Sequence, residues 1–172
     1  MASKGNKAIF EGIPQLKDAF VVIIKTAWNK HIVDPLEDGA ARVLNKAGIA
    51  YKTYDVPGAV EIPFAVRQYF LSGQKTPDAF ITLGAVIKGG TPHFEYVCKS
   101  VTEGITNLNL TLPVPVIFGV LTLDDEKQGK ERIGGIHGHK GEESALTALK
   151  MIRFYRELAK VKSTEKGKKK RT

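Results

Sequence analysis

The sequence predicts an α/β domain in which a parallel β-sheet is covered on both faces by helices. Four apolar runs rich in β-branched residues alternate with segments whose apolar residues recur at helical spacing. Continuous apolar runs of this kind are typical of strands that are buried on both faces, as in parallel sheets. Regular strand–helix alternation favours right-handed crossovers and therefore a three-layer α/β/α sandwich.

The first half of the chain supplies two strands and two helices. A buried strand is predicted over 19–24, and the helix that follows should end before Gly48, because glycine is the common residue just beyond a helix C-terminus. A second strand is predicted over 49–56. A helix is predicted over 61–71, with Pro63 in its first turn, where its missing N–H is tolerated.

The second half repeats the pattern. A third strand is predicted over 79–87, followed by a helix that Thr91 caps and that runs to about Leu110. A fourth strand is predicted over 114–121 and a short helix over 124–132. A glycine- and histidine-rich loop at 134–141 then precedes a last amphipathic helix, whose first turn contains Glu142 and Glu143.

Composition limits the classes of protein to which the chain can belong. The 172 residues are 42% hydrophobic, which supports one domain with a substantial core. The single cysteine, Cys98, excludes an internal disulfide and suits a reducing compartment. No apolar run approaches the ~20 residues of a membrane helix, and no apolar signal segment follows the first residues. A cytoplasmic location without membrane contact is therefore predicted.

Basic residues are concentrated at the end of the chain. The net charge is +8, and residues 160–172 hold seven basic residues against one acidic residue, a net +6. This low-complexity segment is predicted to be disordered. It could bind nucleic acid or an anionic surface, but it has no interleaved aromatic residues, so we interpret it as a solvated tail. The predicted division is an N-terminal arm at 1–18, one domain at 19–160 and a disordered basic tail at 161–172.

The turn after the third strand, Lys88-Gly89-Gly90-Thr91-Pro92-His93, carries the clearest chemical signal. Ligands of parallel α/β sheets bind beyond the carboxyl ends of the strands. Two glycines let the backbone approach a ligand, and the free amides of the next helix favour an anion such as phosphate. The turn lacks the Gly-Lys-Ser/Thr of a Walker A loop, and no Gly-x-Gly-x-x-Gly follows the first strand. The alternative is a tight turn whose glycines serve packing.

Three residues near predicted strand ends could complete a site. His93 falls in the first turn of a helix, where a neutral imidazole able to accept a proton is favoured. Trp28 could stack on a flat heterocycle, and Glu61 could accept hydrogen bonds from sugar-like hydroxyls. Each has a structural alternative, namely a surface histidine, a packing tryptophan and a carboxylate that stabilises a helix start.

The late loop contributes further charged residues. Arg132 and Lys140 flank it and could clamp a phosphate, or they could be ordinary surface charges. His137 and His139 have no nearby third ligand at a suitable spacing. No metal site is therefore predicted.

Taken together, these residues resemble the lumazine synthase family of riboflavin biosynthesis. The likeness covers roughly residues 10–160 in order, and its most specific blocks are Gly90-Thr91-Pro92-His93 and Pro57-Gly58-Ala59-Val60-Glu61-Ile62-Pro63. The other matching segments are 28–29, 83–89, 94–96, 118–122, Gln128, Arg132 and 137–141.

The resemblance implies a flavodoxin-like four-stranded sheet and a condensation without metal or organic cofactor. The family joins 5-amino-6-(D-ribitylamino)uracil to 3,4-dihydroxy-2-butanone 4-phosphate, losing phosphate and water, to give 6,7-dimethyl-8-ribityllumazine. By motif match, His93 is implied to shuttle protons. The residues implied to contact ribitylaminouracil are Trp28, Asn29, Ala59, Val60, Glu61, Ala85, Val86, Ile87 and Phe118. Those implied to hold phosphate are Gly90, Thr91, Arg132 and Lys140.

The resemblance also implies a homo-oligomer. Family members form pentamers whose active sites lie between subunits, and Phe118 is implied to come from the neighbour. The short segment 132–141 resembles that of members that build 60-subunit shells. Lys88, Val60 and His139 depart from the arginine, aromatic and asparagine that the family commonly has there.

Three other functions are compatible with parts of the sequence. The related pentameric riboflavin synthases dismutate two lumazines, and a test with lumazine as the only substrate would separate the two activities. A non-catalytic flavin-binding or shell protein would be expected to have lost His93 or Arg132, and both are present. A nucleic-acid binder would depend on residues 162–172.

Overall fold

The structure is a computed structural model that describes the backbone of residues 12–169 and the side chains as far as residue 160. The main elements in chain order are β1 (Phe20–Thr26), α1 (Lys30–Lys46), β2 (Ala50–Val56), a 3-10 helix (Ala59–Glu61), α2 (Ile62–Leu71), β3 (Ala79–Ile87), α3 (His93–Thr111), β4 (Val116–Leu123), α4 (Glu126–Lys130), β5 (Ile133–Gly135), β6 (Gly138–His139) and α5 (Lys140–Lys169). The predicted alternation of strands and helices is confirmed.

Strands β1 to β4 form one parallel sheet in the order β2-β1-β3-β4. Helices α1 and α5 cover one face, and α2 and α3 cover the other. Alternation along β1 supplies both cores, because Val21 and Ile23 face the first pair of helices while Val22 and Ile24 face the second. The three-layer α/β/α, flavodoxin-like architecture predicted from the sequence is therefore confirmed.

Two local features differ from the sequence prediction. The late loop contains a small antiparallel hairpin, β5–β6, in addition to the main sheet. Helix α3 begins at His93 and follows Pro92, so Thr91 does not cap it. The helix begins one residue later than predicted, with Pro92 at its N-cap position, although the dihedral angles of Pro92 are already helical.

Helix α5 continues to Lys169, into the segment 161–172 for which the sequence predicts a disordered tail. Lysine is a good helix former, but like-charged lysines repel one another, so helical propensity and charge favour opposite outcomes there. The last three residues lie outside the described part of the chain, as do residues 1–11 of the predicted arm. Within 12–169, no helix combines the length and apolar character needed to cross a bilayer.

At the N-terminal end of the sheet, Asp78 joins β1, β3 and α5. Its Oδ2 accepts a hydrogen bond from the amide of Phe20 at 2.8 Å, and its Oδ1 accepts from Tyr155 Oη at 2.8 Å and Arg156 Nη2 at 2.6 Å. Burial raises the pKa of Asp78, but these three hydrogen bonds outweigh burial and hold the pKa below its ordinary value. Burial and the Asp78 carboxylate together raise the pKa of Tyr155 to about 12.

Candidate active site

A cleft of about 400 Å³ opens at the carboxyl ends of β1 and β3. Its lining comes from four segments that are far apart in sequence. The lining residues are Thr26, Trp28, Asn29, Ala59, Val60, Glu61, Ala85, Val86, Ile87, His93 and Val97. The structure thus brings together nine of the residues singled out from the sequence, at the end of the sheet where parallel α/β folds bind ligands.

Trp28 is held on the backbone of the neighbouring turn. Its amide donates to the carbonyl of Pro57 at 3.2 Å, and its ring lies so close to Gly58 that a Cβ there would be 2.7 Å from Cζ3. The side chain is nevertheless 67% exposed. Glycine at 58 therefore allows the indole to pack closely against the turn while leaving ring surface for a stacked ligand.

Asn29 connects the start of α1 to the end of β3. It adopts the left-handed conformation, with φ 57° and ψ 41°, which asparagine tolerates better than most residues. Its Nδ2 donates to the carbonyl oxygen of Ala85 at 2.8 Å, and its own carbonyl accepts from the amides of Ile32 and Val33 at 2.9 and 3.0 Å. The side chain therefore fixes the spacing between the indole turn and the strand end that forms the cleft floor.

Glu61 stabilises the turn on the other side of the cleft. One carboxylate oxygen, Oε2, accepts a hydrogen bond from the amide of Gly58 at 2.9 Å. The other oxygen, Oε1, has no partner among the described residues and is available to a ligand. The side chain thus has both the structural role considered from the sequence and room for the binding role.

The turn after β3 presents backbone amides to solvent. The amide of Lys88 donates to the carbonyl of Leu123 at 2.8 Å, but in residues 12–169 no hydrogen bond engages the amides of Gly89, Gly90 and Thr91. A Cβ at either glycine would have no atom within 4 Å, so these glycines are not required for packing within the chain. Unpaired amides before a helix favour an anionic group.

His93 is the first residue of α3 and lies directly after this turn. Its side chain is exposed and lines the same cleft as Trp28. No hydrogen bond to the described residues holds the imidazole, so the ring is free to reach a molecule in the cleft. The imidazole and the indole therefore line one cleft, and the unpaired amides immediately precede the imidazole in the chain.

Five residues predicted for the site do not line this cleft. Gly90 and Thr91 belong to the turn directly before His93, and the other three lie elsewhere on the chain. Phe118, 41% exposed, and Lys140 line a second cleft of about 340 Å³ between β4 and the start of α5. Lys140 Nζ donates to both oxygens of Glu143, at 2.8 and 2.7 Å. Arg132 lines neither cleft, and its Nη1 donates to the carbonyl of Gln128 at 2.9 Å. The predicted residues therefore fall on two surfaces.

Sequence reasoning missed three residues that line the clefts. Thr26 is buried below the indole turn and donates to the carbonyl of Trp28 at 3.3 Å. Val97 lies one helical turn beyond His93, so the helical period could have placed it on the same side. Glu143 was assigned to the helix dipole, and its spacing of three from Lys140 is the signal for an ion pair.

Sequence similarity to known proteins identifies one family. The sequence model of the 6,7-dimethyl-8-ribityllumazine synthase family matches residues 18–156. Similar proteins of that name occur in Parabacteroides distasonis, with 43% identity over 84% of this chain and 91% of the relative, and in Porphyromonas gingivalis, with 45% identity over 83% and 89%. A third, from Cytophaga hutchinsonii, has 45% identity over 81% of this chain and 89% of its own length. The chain therefore belongs to the 6,7-dimethyl-8-ribityllumazine synthase family.

Proposed function

We propose that the protein is a transferase of riboflavin biosynthesis that condenses 5-amino-6-(D-ribitylamino)uracil with 3,4-dihydroxy-2-butanone 4-phosphate. The products are 6,7-dimethyl-8-ribityllumazine, phosphate and water. Family membership supports the reaction. The observation that supports its location is the cleft that an exposed indole and an unrestrained imidazole line together, with the unpaired amides of residues 89–91 directly before that imidazole in the chain.

The pyrimidine binds on the Trp28 side of the cleft. The indole stacks on the flat ring, and backbone groups of Ala85, Val86 and Ile87 meet its polar edge. Asn29 already occupies one lone pair of the Ala85 carbonyl, so that oxygen has one lone pair left for the substrate. The ribityl chain extends along the other wall, where Ala59, Val60 and Glu61 line the cleft and Glu61 accepts from its hydroxyls.

The phosphate of the second substrate binds at the amides of Gly89, Gly90 and Thr91. Their lack of internal partners supports this assignment, and the positive end of α3 adds to the attraction. Arg132 and Lys140 are the charged side chains that complete the phosphate site. Arg132 supplies a planar fork suited to two phosphate oxygens, and Lys140 supplies a compact positive charge that Glu143 holds in place.

His93 moves protons between the two bound substrates. Condensation of the amine with the ketone forms an imine and releases water, loss of phosphate follows, and ring closure with a second dehydration completes the product. Each step needs a proton delivered or removed near the reacting carbons. One exposed imidazole beside the phosphate turn can serve them in succession, while the two binding regions hold the reactants together.

The active site is shared between subunits of a homo-oligomer. Phe118 and Lys140 lie on a different surface of the chain from Trp28 and His93, so one chain alone does not assemble the whole set. A neighbouring copy that placed its β4–α5 surface over the cleft would complete it, in a pentamer or a shell of pentamers. The single cysteine, which cannot form an internal disulfide, suits a reducing compartment such as the cytoplasm.

Mixing two impaired variants tests the shared site directly. His93→Asn alters the cleft and Arg132→Gln alters a residue outside it, so co-expressed variants should form some sites with both native residues. In a random assembly roughly a quarter of the sites would be native. Lumazine fluorescence and phosphate release measure the recovery.

Recovery to well above the activity of either variant alone is the expected result. A control mixture of Trp28→Ala with His93→Asn should recover nothing, because both residues line the same surface. A mixture of His93→Asn with Arg132→Gln that is no more active than either variant alone would contradict the shared site. Absence of lumazine formation by the unaltered protein from the two substrates would contradict the function itself.

A further inference from the structure

His139 occupies a notch in helix α1. A Cβ added to Gly39, in the middle of that helix, would lie 2.1 Å from Cε1 of the imidazole, so only glycine there leaves room for the ring. His139 is 9% exposed, and its Nδ1 is buried without a hydrogen-bond partner among the described residues. The ring is therefore held in its buried position by its fit against Gly39, and not by a hydrogen bond of Nδ1.

The position of this ring affects the residues assigned to phosphate. His139 ends the β5–β6 hairpin, which begins one residue after Arg132, and Lys140 follows it directly as the first residue of α5. The amide of Lys140 donates to the carbonyl of Arg132 at 2.8 Å, closing the hairpin. The notch therefore attaches to α1 the short segment from which both basic side chains project.

The charges around the ring come from both helices that pack against it. Asp38 and Arg42 act from α1 and Glu142 acts from α5, and Arg42 Nη2 pairs with Glu142 Oε1 at 2.9 Å. The contact on β5 is uncharged Gly134, whose Cβ would lie 3.8 Å from the ring. Burial lowers the pKa of His139, and Arg42 adds to this, while Glu142 and Asp38 oppose it.

We propose that His139 is a positioning residue for binding of the phosphorylated substrate. Its neutral ring, seated in the notch at Gly39, holds the β5–β6 hairpin and with it Arg132 and Lys140, and protonation of the ring weakens that binding. The inference rests on the phosphate assignment of the proposed function. A cationic ring is disfavoured in the notch by burial and by the positive end of α5, which begins at the next residue. Protonation therefore drives the ring out of the notch and releases the hairpin.

The sign of the pH dependence follows from the lowered pKa. The native contact is fully formed above the ordinary histidine value of 6.5 and is lost as the pH falls towards the lower folded-state value. Loss of a binding contact raises KM with little change in kcat. Acid conditions should therefore raise KM for the phosphorylated ketone more than KM for ribitylaminouracil.

The test is the pH profile of KM for 3,4-dihydroxy-2-butanone 4-phosphate between pH 8 and pH 5, in the full-length protein and in His139→Asn. Asparagine cannot become charged and is a favoured residue immediately before a helix. The phosphate of the substrate also titrates in this range, but equally for both proteins. For each protein, KM at lower pH is divided by its own KM at pH 8. We expect this ratio to be about three- to ten-fold larger in the unaltered protein than in His139→Asn.

The possible outcomes distinguish a failure of the positioning role of His139 from a failure of the phosphate assignment on which it rests. Parallel pH profiles for the two proteins overturn the inference, provided that Arg132→Gln raises KM for the phosphorylated ketone at pH 8. If Arg132→Gln leaves that KM unchanged, the phosphate assignment fails and the inference fails with it. A steeper profile in the unaltered protein, together with an effect of Arg132→Gln, supports both.

A second pair of variants tests the notch without a change of pH. Gly39→Ala places a methyl group against the ring and should raise KM for the phosphorylated ketone at pH 8 about three- to ten-fold. The same substitution combined with His139→Asn should have a smaller effect, because the shorter side chain leaves room for the methyl group. Equal effects in both backgrounds would overturn the positioning role.

Discussion

At the N-terminal end of the sheet both carboxylate oxygens of Asp78 have partners within the chain, whereas at the carboxyl end the amides of Gly89, Gly90 and Thr91 have none among residues 12–169. Both ends contain polar groups at strand–helix junctions. At the first end the groups satisfy one another across β1, β3 and α5. At the second end they immediately precede His93, whose exposed side chain lines a cleft together with the exposed indole.

The difference shows how one sheet separates stability from binding. A hydrogen-bonding group that is satisfied internally contributes to folding and has little capacity left for a ligand. A group left unpaired at the surface contributes little to folding and keeps its capacity for a substrate. Substitutions at the first end should therefore change unfolding, and substitutions at the second should change kinetics.

Asp78→Ala should give the largest effect, and on stability alone. It removes the acceptor of three hydrogen bonds and leaves Arg156 without its carboxylate, so the free energy of unfolding should fall by about 3 kcal/mol. Urea denaturation measures the change. Asp78→Asn keeps an acceptor oxygen and should lose less, and kcat of the folded protein should stay within about two-fold for both. A large loss of kcat in folded Asp78→Ala would contradict the expectation that the Asp78 end of the sheet affects stability alone.

His93→Asn should give the next largest effect, on turnover alone. Loss of the proton shuttle should lower kcat about ten- to a thousand-fold, with positioning by the two substrate regions retaining the rest. The free energy of unfolding should stay unchanged because the ring is exposed and has no partner among the described residues. His31→Asn, another exposed histidine, is the matched control and should retain full kcat. Undiminished turnover of His93→Asn would remove the imidazole from the mechanism.

Gly90→Ala should give the smallest effect and tests the amide turn. The added methyl group has no neighbour within 4 Å, so folding should be unaffected, but it separates the backbone from the phosphate. We expect KM for the phosphorylated ketone to rise about ten-fold, or about 1.4 kcal/mol, with KM for ribitylaminouracil unchanged. Ser100→Ala, on exposed α3 surface, is the control. Unchanged KM for both substrates would argue against phosphate at these amides.

The fold was predictable from the sequence because its strongest signals are local. The third strand was predicted with the bounds that the structure gives, Ala79–Ile87, and Gly48 lies just past α1 with φ +66°, as its position predicted. The β5–β6 hairpin was not predictable. Its strands contain two or three residues and several glycines, and it is held by packing against α1, which no local pattern records.

The site was predictable in part, for the same reason. The rule that ligands lie beyond strand ends placed Trp28, Glu61 and His93 in one cleft, and the structure brings them together there. Phe118 lies within β4 and not beyond its end, so this rule did not place it, and only the family resemblance assigned it to a neighbour. The sequence of one chain has no local pattern that identifies a surface to be completed by a second copy of the chain. The requirement for glycine at position 39 is visible only in the structure, in which the His139 ring lies against it.

The placement of Trp28 has a practical consequence for experiments on the unlabelled protein. It is the only tryptophan in the chain, and its ring is largely exposed at the cleft. Fluorescence excited at the red edge of indole absorption therefore comes from one known location. The emission of that single fluorophore provides an internal gauge of cleft occupancy, with no dye to attach and no background from other tryptophans to subtract.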